Sequence, residues 1–245
     1  MIKLLNILSE IVVQKDPALK KITDYVRGGS KGKLDLSNTP IQSLPPGFEV
    51  RGDLDLSYCQ NLKSLPPGLK VGGYLSLIKT PIQSLPPGLK VRGNLYLTNT
   101  PIQSLPPGLE VRGGLYLSGT PIQSLPDGLK VGGILLLTDT PIQSLPSGLE
   151  VRGDMYLNNC KNLKSLPPGL KVGGDLFLDD TSIQSLPPGF KVKGHLLLNN
   201  TPIQSLPDGL EVGGSLFLYG TPISKKYTKE EIRKMVPGVK GDIYL

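Results

Sequence analysis

The sequence predicts a β-rich solenoid of about eleven parallel strands. Pro-rich segments lie opposite the strands, and helical caps stand at the N-terminus and before the last strand. Three observations carry this prediction. A unit typified by Gly113-Gly-Leu-Tyr-Leu-Ser-Gly-Thr-Pro-Ile-Gln-Ser-Leu-Pro-Asp-Gly-Leu-Lys-Val131 recurs along most of the 245 residues, and a fixed period of this length is the signature of a stacked repeat array. Within each unit Gly-x-Leu-x-Leu alternates as a strand does, with both leucines on one face. The following Thr-Pro-Ile-Gln-Ser-Leu-Pro-x-Gly-Leu holds too much proline for a helix, because each proline lacks a donor and clashes with the preceding turn.

From the N-terminus, Ile2, Leu4, Leu5, Leu8, Ile11 and Val12 fall at near-helical spacing and predict an amphipathic helix over residues 2–14. Asp16-Pro17 supplies a cap and a first-turn proline for a second helix over Ala18 to Val26, ended by Gly28-Gly29. Residues 1–31 therefore read as a cap over the open end of the core, which repeat arrays require. Asn6, Ser9 and Glu10 interrupt the leading apolar run, which argues against a signal peptide. No run approaches the roughly 20 apolar residues of a membrane span. The expectation is a cytoplasmic protein, or a virion component if a phage encodes it.

The array occupies residues 32–224. One phase of it carries Thr39, Cys59, Thr80, Thr100, Thr120, Thr140, Cys160, Thr181, Thr201 and Thr221, spaced by 20 residues except for a step of 21 after each Cys. At those two steps Thr-Pro-Ile becomes Cys59-Gln-Asn-Leu62 or Cys160-Lys-Asn-Leu163, and the apolar phase is recovered directly after the added residue. Val50, Val71, Val91 and their equivalents return the chain toward the sheet, and the Gly before each strand predicts a kink or bulge. Residues 225–245 form the last cap. Thr228 and Glu231 have capping-box spacing, and Pro237-Gly-Val-Lys-Gly-Asp-Ile-Tyr-Leu245 repeats the strand pattern with one residue deleted. It predicts an eleventh strand reached through a helix.

Charge narrows the function classes. The chain carries +7, but residues 1–33 hold seven Lys/Arg against three Asp/Glu, and residues 221–245 hold six against three. The body between them has fourteen of each. A nucleic-acid groove calls for a basic stripe along the body, so basic ends on a neutral body predict no nucleic-acid partner. Cys59 and Cys160 lie five units apart, about 24 Å at the roughly 4.8 Å spacing of stacked strands. That is too far for a disulfide, and two unpaired thiols suit a reducing compartment.

The pattern L-x-L-x-x-[T/C]-x-[I/L]-x-x-L-P-x-x-L, clearest at Leu54-Asp-Leu-Ser-Tyr-Cys-Gln-Asn-Leu-Lys-Ser-Leu-Pro66, resembles the leucine-rich repeat. It is most similar to the short bacterial and bacteriophage type, over residues 32–224 with an echo at 237–245. The resemblance implies a curved right-handed solenoid whose concave sheet binds other proteins. It also exposes two departures. The family's ladder Asn is replaced by Thr in eight units and Cys in two. The Val before each strand lies one residue farther away than the family's Leu. The sheet edge is therefore either an ordinary repeat strand or a bulged double strand nearer a β-helix. Related secreted effectors append a ubiquitin-ligase domain, for which this chain has no room.

Catalytic candidates are few. His195 is the sole histidine, predicted to be a solvated strand-surface side chain. One His and two separated Cys cannot supply the four ligands of a zinc site. Asp53, Asp154 and Asp175 share a column but alternate with neutral residues, and Asp179-Asp180 lacks a rigid ligand loop. Arg51-Gly-Asp53 and Arg152-Gly-Asp154 spell an adhesion tripeptide that the repeat columns generate by themselves. No enzyme, metal or cofactor is expected.

The informative contrast lies between columns. Gln-Ser-Leu-Pro is nearly constant from unit to unit, whereas the outward strand position varies and, from Tyr96 on, is always apolar or aromatic: Tyr96, Tyr116, Leu136, Tyr156, Phe177, Leu197, Phe217 and Tyr244. The preceding outward column adds Tyr74 and Ile134. An exposed apolar stripe marks a binding face, and Tyr and Phe suit interface hot spots. The expected function is a non-enzymatic scaffold that binds a protein on Tyr74, Tyr96, Tyr116, Ile134, Leu136, Tyr156, Phe177, Leu197 and Phe217. The alternative is a structural or self-associating component such as a bacteriophage virion protein.

Overall fold

A computed structural model describes residues 17–245. The helix expected over residues 2–14 lies outside the described residues. Helix α1 (Pro17–Arg27) buries Ala18 and Ile22 against the first coil, as the sequence predicts for its second helix. Lys21 donates to the Asp35 carbonyl at 3.0 Å, fixing the helix over strand β1 (Leu34–Asp35).

Every strand of the array is two residues long, and consecutive coils pair in parallel. The Leu-x-Leu segments form an eleven-stranded sheet in simple sequential order. Leu34, Leu54, Leu75 and their successors pair in register up to Leu216↔Ile243. The extra residue after each Cys leaves this register intact, since Leu54↔Leu75 and Met155↔Leu176 pair like their neighbours. Ile243–Tyr244 is the eleventh strand.

The valines do more than return the chain to this sheet. With the residue before them they form a second, nine-stranded parallel sheet, from Glu49–Val50 to Glu211–Val212. Of the two geometries the spacing allowed, the double strand is the one adopted, and glycine makes the corner between the sheets. Gly73 donates its N–H to the Gly52 carbonyl at 2.8 Å, Gly93 to Gly73 at 2.9 Å, and so on to Gly241 and Gly214. The coils approach so closely there that a Cβ on Gly93 would sit 2.6 Å from the Gly73 carbonyl carbon. These glycines are required by proximity rather than by dihedral angle.

The third side is the extended Pro-rich segment. It closes with a turn in which Phe48 N–H bonds the Pro45 carbonyl at 3.2 Å, with Gly47 at φ 67°. Proline second and left-handed glycine third describe a type II turn. A coil such as 115–131 turns Leu115, Leu117, Ile122, Leu125, Leu129 and Val131 inward, each buried. Each such side chain contributes about 1.5–3 kcal/mol by leaving water.

The Thr column answers the missing Asn. Thr120 Oγ1 donates to the Leu117 carbonyl of its own turn at 2.7 Å, and the other threonines of the column repeat the bond. The two cysteines reach farther. Cys59 Sγ donates to the Leu36 carbonyl of the preceding coil at 3.1 Å, and Cys160 Sγ to that of Leu137 at 3.2 Å. Just before this column every coil takes a left-handed residue, from Asn38 (φ 59°) to Gly220 (φ 72°). Asn, Asp and Gly hold eight of the ten positions, as the low cost of that conformation for them dictates.

At the C-terminal end the chain makes two helices where the sequence suggested one. Helix α2 (Pro222–Lys226) is capped by Thr221, whose Oγ1 accepts the Ser224 N–H at 3.2 Å. Helix α3 (Lys229–Met235) has the expected capping box between Thr228 and Glu231. Its Arg233 guanidinium donates to the Val239 and Gly241 carbonyls and so occupies acceptors left open at the end of the stack.

Candidate binding face

In a two-residue strand only one side chain points out of the eleven-stranded sheet. A strand spacing of about 4.8 Å brings each such side chain against its counterpart in the next coil. Tyr96 stacks on Tyr116 with ring centroids 4.5 Å apart and planes 24° apart. Tyr156 stacks on Phe177 at 4.3 Å and 8°, and Phe217 on Tyr244 at 4.6 Å and 11°. Leu136 lies in register between Tyr116 and Tyr156, and Leu197 between Phe177 and Phe217. The column therefore reads as three ring pairs separated by single leucines. Each stacked pair contributes about 0.5–1.5 kcal/mol beyond its area.

Tyr74, one column upstream, meets Tyr96 edge-on at 5.9 Å, and Ile134 is half-buried in the same upstream column. All nine residues expected at the face thus lie on one surface. The stacking hides part of every ring, so the members of the stripe are half-buried, and only Tyr244 at its end is exposed. Asn94 Nδ2 donates to Tyr96 Oη at 2.8 Å. Burial, followed by the neighbouring Tyr96 and Tyr156, pushes the Tyr116 phenol up; burial, followed by Asp154 and Asp175, does the same for Tyr156. Both phenols stay protonated and can donate to a partner.

The upstream column holds a feature that the sequence reading missed. Asp154 Oδ1 accepts the backbone N–H of Asp175 at 2.9 Å, and Asp175 Oδ1 accepts that of His195 at 2.7 Å. His195 Nδ1 accepts that of Ser215 at 2.8 Å, and Ser215 Oγ that of Asp242 at 3.1 Å. Asp53 with Tyr74, and Asn94 with Gly114, form isolated rungs of the same kind. The ladder absent from the core has thus been moved to the surface of the sheet. His195 is exposed as expected, but it is a rung rather than an idle side chain. The recurrence of short acceptor-bearing residues at one phase was the available signal.

Asp179 belongs to a parallel arrangement. Its carboxylate accepts the Asn199 N–H at 2.8 Å and the Asn158 amide at 3.1 Å, while burial pushes its pKa up. These are structural duties for Asp53, Asp154, Asp175 and Asp179, and Asp180 pairs with the exposed Lys161 at 3.8 Å. Among the described residues no group of three or more His, Cys, Asp or Glu could hold a metal ion. No described helix is long and apolar enough to cross a membrane. Cys59 and Cys160 are free and buried.

No protein-family model matches the chain, and no curated protein sequence matches it. Solved structures do. YopM, a leucine-rich effector protein from Yersinia pestis, is similar over 83% of this chain and 64% of its own, with a TM-score of 0.51 and 18% identity. The chain thus spans a little under two thirds of that protein's length. YopM from Yersinia enterocolitica aligns over 93% of this chain and 67% of its own, at TM-score 0.41 and 18% identity. A leucine-rich-repeat protein of Leptospira interrogans aligns over 86% and 83%, at TM-score 0.28 and 18% identity. The first of these likenesses, together with the parallel solenoid of twenty- and twenty-one-residue coils, shows a leucine-rich-repeat fold.

Proposed function

From the leucine-rich-repeat fold, we propose that this chain is a non-enzymatic scaffold that captures a protein partner on the aromatic stripe of its eleven-stranded sheet. The fold supports a protein-interaction scaffold in general terms. The observation that carries the finer reading is the unbroken apolar column from Tyr96 to Tyr244, in three stacked pairs spaced by leucine. Such a row offers a partner large, pre-ordered rings whose side-chain entropy is already restricted, which favours hot-spot contacts. The half-buried phenols of Tyr116 and Tyr156 supply donors within an apolar surface. Asp154 and Asp175, already fixed by the ladder, give the rim its polarity.

The test begins with identification of a partner by pull-down with the intact protein, followed by a pairwise affinity measurement. Tyr116→Ser, Tyr156→Ser and Phe177→Ser together should leave the circular dichroism unchanged and weaken binding at least 100-fold. A folded triple variant that binds as well as the parent would reduce the stripe to a packing ladder.

A further inference from the structure

The fourteen cations and fourteen anions of the body do not mix evenly once folded. The strands of the nine-stranded sheet turn a Lys or Glu outward before each buried Val, and an Arg, Lys or Gly follows it. Ten of the body's fourteen Lys/Arg stand on this one face, against four of its fourteen Asp/Glu. The neutrality that argued against a polyanionic partner is an average over two unlike faces.

The cations are also clustered. Along most of the face Lys and Glu alternate from strand to strand, which allows cross-strand pairs such as Lys90–Glu110 at 3.0 Å and Lys191–Glu211 at 2.7 Å. The alternation breaks twice. Lys70 lies in register with Lys90, and Lys171 precedes Val172, which pairs with the Val192 that follows Lys191. Like charges facing each other across strands are unfavourable. At each break the surface opens into a shallow basin. One, of about 680 Å³, sets Arg51, Lys70, Lys90 and Arg92 against a single Glu49; the other, of about 660 Å³, sets Arg152, Lys171, Lys191 and Lys193 against a single Glu150. A basin of about 570 Å³ between them, where the alternation holds, is nearly balanced, with Arg112, Lys130 and Arg152 against Glu110 and Glu150. Gly72 and Gly173 floor them, because a Cβ there would strike the carbonyl of Arg51 or Arg152.

The two basins are copies. Residues 49–98 and 150–199 align at a constant offset of 101, and all four cations of the first basin meet a cation in the second. Over the same offset the opposite face has changed freely: Asp55 becomes Tyr156, Tyr74 becomes Asp175, Ser76 becomes Phe177 and Lys79 becomes Asp180. The basin cations have been kept where like charges are costly, while on the opposite face charge has been lost, gained and reversed.

We propose that the nine-stranded face binds the sugar-phosphate backbone of duplex nucleic acid through these two basins, without reading its sequence. Five coils separate them, about 24 Å. A duplex carries a phosphate for every ~1.7 Å of its axis, so a rigid duplex meets both basins in any register. The outward positions of the face are Lys, Arg, Glu and Gly alone. There is no aromatic side chain for stacking single-stranded bases and no apolar one to enter a lipid surface.

A labelled 30-base-pair duplex of arbitrary sequence tests this with the intact protein. With about six phosphates contacted, log K should fall with log salt at a slope near −5. Lys70→Glu with Lys90→Glu, or Lys171→Glu with Lys191→Glu, should each cost at least tenfold in affinity and flatten the slope by about 2. Lys225→Glu with Lys226→Glu, equally basic but on α2, should stay within twofold. Equal loss in that control would overturn the basins in favour of general charge attraction. Unchanged binding by the folded basin variants would overturn them outright. Tighter binding of a single strand, of polyglutamate at matched charge or of anionic vesicles would assign the face to another class of partner. The Tyr116, Tyr156 and Phe177 variant should bind the duplex normally, so failure here and failure of the aromatic face are separable.

Discussion

His195 Nδ1 accepts the backbone N–H of Ser215 at 2.8 Å, one coil farther along the solenoid. An imidazole at an exposed strand position therefore does the work of a carboxamide. His195→Asn should keep the rung, since Asn94 already makes the same bond to Gly114. His195→Ala should remove it at about 0.5–1.5 kcal/mol. Amide exchange at Ser215 should quicken in the Ala variant and stay slow in the Asn variant. Equal exchange in both would show that the rung is not what protects Ser215.

Two glycine columns should respond differently to alanine. At Gly93 the new Cβ meets the backbone of Gly73 and Tyr74 at 2.6–2.7 Å, and relief requires separating two coils. At Gly88 nothing lies within 4 Å, and only the left-handed φ of 69° resists. Gly93→Ala should cost upwards of 3 kcal/mol or prevent folding, and Gly88→Ala about 1 kcal/mol. Urea midpoints of the two variants decide the order.

The thiols should be silent in the native protein. Cys59 and Cys160 are fully buried, and burial pushes the Cys160 thiol up from its ordinary value. A disulfide-exchange reagent at pH 8 should label neither within minutes and both after denaturation. Rapid native labelling of either would mean that its coil opens on that timescale.

Asp35 offers a check on local electrostatics. The Ser37 hydroxyl at 2.6 Å, with the Ser37 N–H and Lys33 adding to it, holds its carboxyl down to about 2. A depressed acid stabilises the fold above its ordinary pKa of 3.8, and that contribution disappears as the pH falls toward about 2. Because both groups are exposed, the effect on stability stays below about 1 kcal/mol. The direct observable is an NMR titration: Ser37→Ala should move the Asp35 midpoint upward toward 3.8.

The sequence made the eleven-stranded sheet legible because period-two Leu inside period-twenty units leaves one arrangement that buries both leucines. It made the α3 cap legible because Thr228 and Glu231 are a local pair. It did not disclose α2, although Thr221-Pro222 carries the same kind of start signal, because that dipeptide opens a non-helical segment in most earlier units. Nor did it resolve the second sheet, since a two-residue strand ending in Val has no alternation to read. The surface ladder stayed hidden because its rungs mix Asp, Asn, His and Ser, alike only in having an acceptor near the backbone. The aromatic stripe was visible as composition, but its grouping into stacked pairs required the register. Charge sorting was invisible to any sum over the chain, because Lys/Glu columns and Asp columns alternate within each unit and separate only in three dimensions.

The glycine corner sets a further property of the molecule. At this corner each coil joins the next through the same glycine carbonyl and N–H, whatever side chains meet on the faces. Any coil can therefore follow almost any other. Loss or gain of a whole unit changes the rod by about 4.8 Å and leaves both ends intact. The match of residues 49–98 with 150–199, at an offset of 101, shows the same freedom at larger scale, five coils or about 24 Å at a time. Length in this protein is a counted quantity, and the count can change by whole units without any new backbone junction having to evolve.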